Sequence, residues 1–243
     1  MDFIIKLQDQ RLTSFKELGE ILYLYPDASE KLITSSKFLK ILKQEDEEKY
    51  RKLIELNHEV REHEEFIFLA QYIFQPIMNI RHHGYQFNSL KELGEKILSF
   101  APIVDVYLKD FLKYHLLSKY MEMMNFHASE HILYQKILKL EKMFRENEHK
   151  AYFLLGFILS GCDIINYRNK QYKSAEEFFN DMTSSFHIAD YSLMIEKSQY
   201  IIAWLSYQNH EEIVDKYESI IKFMNSMEDK YESTREISKM VKK

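Results

Sequence analysis

The chain is poor in cysteine, proline and glycine. Its 243 residues include one Cys, three Pro and five Gly. The single thiol, Cys162, excludes a disulfide within the chain, and its place in an apolar run indicates a small buried side chain rather than a reactive one. Because turn-forming residues are so few, long loops and all-β folds are disfavoured, and packed helices are the expected architecture.

Long apolar runs and an excess of positive charge are also missing. The longest apolar stretch, residues 151–165, is interrupted by Gly, Ser and Asp and is too short to span a bilayer. The N-terminus lacks the basic and apolar segments of a signal peptide. A formal net charge of −5 argues against a surface that follows nucleic-acid phosphates. We therefore predict a cytoplasmic protein that contacts neither membranes nor nucleic acids.

One sequence pattern occurs three times. Ser14, Ser89 and Ser174 each begin a Ser-x-x-Glu stretch that is followed by an apolar residue. This pattern is typical of a helix N-terminus, where the Ser hydroxyl accepts a hydrogen bond from the backbone N–H three residues on and the Glu side chain reaches back to the Ser N–H. The pattern predicts three capped helices.

A short β-hairpin is predicted immediately before each capped helix. In every copy, seven residues separate an Ile from an apolar or aromatic residue; the pairs are Ile5 with Leu12, Ile80 with Phe87, and Ile165 with Tyr172. In the middle of each spacer lies a residue type that tolerates a left-handed backbone, namely Asp9, Gly84 or Asn169. Two short runs around such a residue indicate a tight hairpin turn.

The similarity between the copies continues outside the hairpin and the cap. Phe68-Leu69 and Tyr72-Ile73 recur as Phe153-Leu154 and Phe157-Ile158, displaced by 85 residues. We predict a mainly α fold, a helical repeat or bundle of three related modules, each opened by a short β-hairpin that leads into a capped helix. The predicted bounds are 1–66 for a truncated first module, 67–148 for the second, 149–209 for the third and 210–243 for a C-terminal amphipathic helix.

Apolar spacing also predicts individual helices. One long helix is expected over residues 46–74 with a polar centre, and another over 129–147 with Ile132 on its buried side. The final helix, expected over 210–240, carries apolar residues at alternating spacings of four and three: Ile213, Tyr217, Ile220, Met224, Met227 and Tyr231. We call these six residues the heptad stripe. Two explanations fit it: docking on the core of its own chain, or binding to a second copy or another protein.

A candidate zinc motif lies at residues 127–131. His127, Glu130 and His131 match the H-x-x-E-H pattern, in which two imidazoles on one helix face share Zn²⁺ and the Glu polarises water. In this respect the stretch resembles the inverted zincins, and the resemblance implies a metal-dependent hydrolase. The competing explanation is a set of surface polar residues at a helix start, with Ser129 as the cap. That second explanation is favoured, so no metal or other cofactor is predicted.

Two further polar patterns stand out. Arg145 and His149 bracket a polar run that resembles the Arg-polar-His motif of all-helical nucleases of the HEPN type, although a solvated charge run is the better explanation. His82 and His83 lie at the second predicted hairpin turn, and the matching positions in the other copies hold no His. The polarity expected of a turn is one explanation for this pair, and a local metal or partner contact is the other.

The function expected from the sequence is that of a non-enzymatic protein–protein interaction protein: an adaptor, a regulatory subunit or an inhibitor. Related helical modules create grooved surfaces, and the heptad stripe offers a binding face for another protein or for self-association. The alternative is a hydrolase, either metal-dependent through His127, Glu130 and His131 or an all-helical RNase. These two classes differ in geometry, because an enzyme needs its catalytic side chains to converge in a pocket.

Overall fold

The computed structural model describes residues 4–77, 79–184 and 191–241, with only the backbone for Tyr191 and for residues 227–241. These residues are mainly helical. The helices are α1 Phe15–Ile21, α2 Pro26–Ile33, α3 Ser36–Glu45, α4 Glu47–Glu59, α5 His63–Phe74, α6 Leu90–Ser99, α7 Asp110–Lys113, α8 Leu116–Met123, α9 Phe126–Ser129, α10 His131–Phe144, α11 Glu148–Ser160, α12 Ala175–Ser184, α13 Tyr191–Glu196, α14 Ser198–Tyr207 and α15 Glu211–Val241. None of the described helices combines the length and the apolar character needed to cross a membrane.

Three two-stranded antiparallel hairpins precede α1, α6 and α12. Their strands are β1 Ile5–Leu7, β2 Gln10–Leu12, β3 Ile80–His82, β4 Tyr85–Phe87, β5 Ile165–Tyr167 and β6 Lys170–Tyr172. The outermost pair of each hairpin joins the two residues of the seven-residue spacing: Ile5 with Leu12, Ile80 with Phe87, and Ile165 with Tyr172. The three predicted hairpins are therefore confirmed.

Each hairpin turns through a two-residue loop. In the second and third hairpins both loop residues have positive φ, His83 with Gly84 and Arg168 with Asn169, as a type I′ turn requires. In the first hairpin the residue with positive φ is Gln8. The first loop position thus accepts Gln, His or Arg, so the turn itself does not select for histidine.

The Ser hydroxyls cap the helices as predicted. Ser14 Oγ accepts from Glu17 N at 3.2 Å, Ser89 Oγ from Glu92 N at 3.1 Å, and Ser174 Oγ from Glu177 N at 3.3 Å. The reciprocal Glu bond differs from the prediction, because the carboxylates reach one residue further back. Glu17 accepts from Thr13 N at 2.7 Å and Glu92 from Asn88 N at 2.8 Å.

Replacing Ser89 by alanine is expected to lower the free energy of unfolding by about 1 kcal/mol, because the Glu92 N–H loses its partner at the start of α6. Urea unfolding followed by circular dichroism measures the loss. Ser99→Ala is the matched control, since the Ser99 hydroxyl bonds only back to Lys96 O near the end of the same helix. Equal stability of the wild type and Ser89→Ala would contradict the role of the cap.

One compact unit comprises residues 1–93 and 105–146. Helix α5 forms its centre, since Phe66–Phe74 are all buried and α1, α2, α4 and α8 pack against α5. The predicted single helix over 46–74 is wrong. It is two helices, because the backbone is extended at Val60 and Glu62 between α4 and α5. This break places Glu64 and Glu65 in the first turn of α5, where the helix dipole favours carboxylates.

The second compact unit comprises residues 94–104 and 147–243. Helix α11 packs along α14, and α15 packs against α12, α13 and α14. Trp204 in α14 is fully buried, and its Nε1–H donates to Asp163 O at 2.9 Å. Phe178 of α12 lies at the centre of the aromatic core, with ring centroids 5.8 Å from Trp204 and 6.1 Å from Tyr217.

Two glycines allow a close helix approach within the second unit. A Cβ on Gly94 of α6 would lie 2.5 Å from Ser160 N and 2.8 Å from Gly156 O, both backbone atoms of α11. A Cβ on Gly156 would instead meet side-chain atoms, Leu98 Cδ2 at 2.7 Å and Ile97 Cγ2 at 2.8 Å. The absence of side chains at these two positions permits the two backbones to touch.

Candidate functional site

Four ionisable side chains converge where the second hairpin meets α5 and α7. They are Glu64, His82, His83 and Asp110, and one nitrogen or oxygen of each lies within 4.8 Å of the others. We call this group the His–carboxylate cluster. Elsewhere in the described part of the chain, no other group of three or more His, Cys, Asp or Glu side chains comes this close.

His82 is the last residue of β3 and points into the core, where it is 4% exposed. Its ring meets Phe68 edge-on at 5.9 Å and Phe111 at 5.4 Å. The equivalent strand positions in the other hairpins hold Leu7 and Tyr167, each 2% exposed. A polar ring at this core position requires a polar partner, and Asp110 Oδ2 lies 3.1 Å from His82 Nε2.

His83 follows in the turn, with φ 43°. Its ring stacks on Tyr107 with a centroid distance of 4.5 Å and contacts the His82 ring at 4.4 Å. Its Nε2 lies 2.6 Å from Glu64 Oε2. The stacked tyrosine holds the His83 ring in place, so Nε2 faces α5.

The 105–113 segment is fixed by Asp105. Its Oδ1 accepts from Tyr107 N at 2.9 Å and from Leu108 N at 2.8 Å, and its Oδ2 accepts from the Tyr85 hydroxyl at 3.1 Å. These bonds tie the segment to the second hairpin. They bring Asp110, the first residue of α7, to His82, and Asp110 is itself only 7% exposed.

Helix α5 fixes the other side of the hairpin. The Tyr72 hydroxyl donates to Asn79 O at 3.1 Å and accepts from Arg81 N at 3.3 Å. Gln71 Nε2 donates to Arg81 O at 2.9 Å. The backbone of β3 is therefore held directly by the helix that carries Glu64.

The two histidines differ in protonation. Burial lowers the pKa of His82 below its ordinary value, and the bond to Asp110 opposes this only in part. Burial alone would also lower the pKa of His83, but the bond to Glu64 and the Glu64 charge raise it overall. The same bond lowers the pKa of Glu64. These shifts favour a neutral ring at His82, and an imidazolium at His83 paired with the Glu64 carboxylate.

This donor set supports two chemical arrangements. As the side chains stand, they form two His–carboxylate pairs linked by the contact between the rings. Imidazole nitrogen together with carboxylate oxygen is also a ligand set of first-row transition metals. The sequence singled out His82 and His83 but not their partners, because Asp110 lies 28 residues after His82 and Glu64 lies 19 residues before His83.

The candidate zinc motif is divided between two helices. His127 lies in the short α9, whereas Glu130 precedes α10 and His131 begins it. The His127 ring is tilted against Tyr134 at 6.0 Å, and both Glu130 and His131 are exposed. Within the described residues these three side chains do not form a group with ligand atoms as close as those of the His–carboxylate cluster.

The remaining sequence candidates are surface residues. Arg145 follows α10, His149 lies in the first turn of α11, and both are exposed. Ile132, expected on a buried face, is 76% exposed and lies in the first turn of α10, which begins at His131. Cys162 is half-buried, and its thiol donates to Ile164 O at 3.4 Å.

The heptad stripe divides along α15. Tyr217 is fully buried and Met224 is 5% exposed, and both pack within their own chain together with Val214 and Ile221. Ile213 and Ile220 are half-buried. The side chains of Met227 and Tyr231 lie outside the described residues. The stripe as a partner-binding surface remains a prediction, and its buried residues also serve the core of the second unit.

No protein-family model, curated protein or solved structure matches the chain.

Proposed function

We propose that the chain is a non-enzymatic protein–protein interaction protein built from three related helical modules, with the bounds 1–66, 67–148 and 149–209, and a C-terminal interaction helix over 210–243. The adaptor, regulatory-subunit and inhibitor roles all belong to this class. The observation that carries the proposal is the apolar side of α15 that its own core leaves partly uncovered.

The residues of α15 fall on two neighbouring faces. Val214, Tyr217, Ile221 and Met224 follow one another at spacings of three and four and are buried. Ile213, Ile220 and Phe223 follow at spacings of seven and three, and Phe223 is 65% exposed. We call these last three residues the exposed edge of α15. A face this apolar on a surface helix is suited to the apolar face of another helix.

Phe223→Asp is expected to abolish association through this edge while leaving the fold intact, because Phe223 lies mostly outside the core. Size exclusion coupled to light scattering over a range of concentrations measures the effect. The wild type is expected as a dimer or larger species and the variant as a monomer. Met224→Asp is unsuitable, since Met224 is 5% exposed and a buried carboxylate would unfold the unit.

Ile132→Asp is the matched control, because it also places a carboxylate at an exposed apolar position on a different helix. A wild type that is monomeric at every concentration would contradict self-association. The edge would then need a different protein as its partner. Binding to a different protein is tested by comparing how much of that partner the wild type, Phe223→Asp and Ile132→Asp each capture. Equal capture by all three would show that the exposed edge of α15 is not the binding surface.

A further inference from the structure

We propose that Glu64, His82, His83 and Asp110 form a binding site for one divalent first-row transition-metal ion, with Zn²⁺ as the ion that suits the donors best. The proposal is independent of the interaction role of α15. It departs from the expectation that the sequence alone gave, in which no metal was predicted.

The separations suit a common ion. At metal–ligand distances of about 2.0–2.2 Å, neighbouring ligands of a tetrahedral ion lie roughly 3.3–3.6 Å apart. His82 Nε2 and Asp110 Oδ2 are 3.1 Å apart, and His83 Nε2 and Glu64 Oε2 are 2.6 Å apart. The widest separation in the group is 4.8 Å. Closing this gap and opening the two shorter pairs to the tetrahedral range require side-chain movements of about 1 Å, and Glu64, whose side chain is 24% exposed, has rotamer freedom to supply part of them.

Neither the turn nor the core explains the two histidines. The other hairpins place Gln8 and Arg168 at the position of His83 with the same left-handed backbone. They place Leu7 and Tyr167 at the buried position of His82. Burying a polar ring and a carboxylate costs desolvation free energy, and an apolar side chain at the same position would avoid that cost. A role for these donors beyond the fold accounts for that cost.

The charges favour a divalent ion. Two carboxylates and two neutral imidazoles carry a total charge of −2, which one M²⁺ ion neutralises. Binding releases to solvent the one proton that the His83–Glu64 pair shares, whereas His82 is already neutral and only moves its proton to the other ring nitrogen so that Nε2 faces the ion. Imidazole is a poor ligand for Mg²⁺ and Ca²⁺ and a good one for Zn²⁺ and Co²⁺.

The ligands come from three separate elements: α5, the second hairpin and α7. An ion held by all three cross-links segments 19 and 28 residues apart. Because such a set of ligands exists only in the folded chain, the ion stabilises the fold by an amount that grows with the logarithm of its concentration divided by Kd, and it raises Tm. Tyr107 and Asp105 orient His83 and the 105–113 segment from outside the ligand set, as outer-shell groups commonly do.

The test uses the full chain, stripped of metal with a chelator and dialysed. Zinc chloride is titrated by calorimetry, Co²⁺ by its visible absorption, and Tm is read with and without each ion. One Zn²⁺ per chain, a raised Tm and a Co²⁺ absorption band of tetrahedral intensity are expected. Magnesium chloride at the same concentrations is expected to change neither Tm nor heat.

His83→Gln is the decisive variant, because Gln8 occupies the same turn position in the first hairpin and the fold should accept it. Changes in outer-shell residues already weaken metal sites by about 10–100-fold, so the loss of a ligand should weaken Zn²⁺ binding at least about 100-fold. Glu64→Gln is the second variant and decides the matter if His83→Gln does not fold. His58→Gln, at an exposed position of α4, is the control and should bind as the wild type does.

Two outcomes overturn the proposal. One is a wild type that shows no heat and no change in Tm with Zn²⁺ or Co²⁺. The other is Zn²⁺ binding that is the same in the wild type, His83→Gln and Glu64→Gln, which would place the ion elsewhere. Binding that weakens in both ligand variants and persists in His58→Gln supports it.

Discussion

Phe178→Ala is expected to lower the free energy of unfolding of the second unit by about 3–5 kcal/mol. Phe178 is 1% exposed, so its loss leaves a cavity as well as removing buried apolar area. Its ring meets both strands of the third hairpin, at 5.5 Å from Tyr167 and 5.3 Å from Tyr172. It also contacts Trp204 and Tyr217, so one side chain joins the hairpin to α14 and α15.

Urea unfolding measured by tryptophan fluorescence tests this, because Trp204 is the sole tryptophan and lies against the site of the change. Phe179→Ala is the matched control: it removes the same atoms one residue further along α12, where the side chain is only half-buried. Phe179→Ala should lower the free energy of unfolding clearly less than Phe178→Ala does. If the two variants unfold at the same urea concentration, the aromatic centre around Phe178 does not hold the unit together.

Gly94→Ala is also expected to lower the stability of the fold substantially. The added Cβ would lie 2.5 Å from a backbone nitrogen of α11, and a backbone cannot move aside as a side chain can. Overpacking of this kind costs about 1–3 kcal/mol or more. The change also raises helix propensity by about 1 kcal/mol, so a net loss of stability would show that the close approach of the two helices dominates.

Gly156→Ala is the informative comparison, because the Cβ there would meet side-chain atoms of Leu98 and Ile97 rather than backbone atoms. Gly156→Ala gains the same helix propensity as Gly94→Ala, but its Cβ meets side chains that can adjust, whereas a backbone cannot. Thermal unfolding by circular dichroism should give a lower Tm for Gly94→Ala than for Gly156→Ala. A Tm for Gly94→Ala at or above that of the wild type would contradict the close approach.

The hairpins were predictable because their information is local. The seven-residue spacing, the turn residues and the Ser cap all lie within about a dozen positions, and each favours the same conformation. The two-helix division of residues 46–74 was missed because no Pro or Gly marks it. The break at residues 60–62 contains only Val, Arg and Glu, and the buried faces of the helices on either side determine where each ends.

Only the two histidines of the His–carboxylate cluster could be predicted from the sequence. His82 and His83 differ from the residues at the same positions of the other hairpins, and that difference is visible in the sequence. Glu64 and Asp110 lie in stretches where acidic residues are common, so nothing local distinguishes them. The bonds of Asp105, Tyr72 and Gln71, which fix α5 and the 105–113 segment against the hairpin, bring the carboxylates to the rings.

The shortness of the hairpins affects how the chain behaves in concentrated solution. Each strand has three residues and each sheet has two strands, so every sheet has outer edges that pair with no third strand among the described residues. Long flat edges recruit strands from other molecules and lead to aggregation, whereas very short ones give an incoming strand too few hydrogen bonds. Three-residue strands that lead directly into capped helices therefore protect the protein from cross-β assembly.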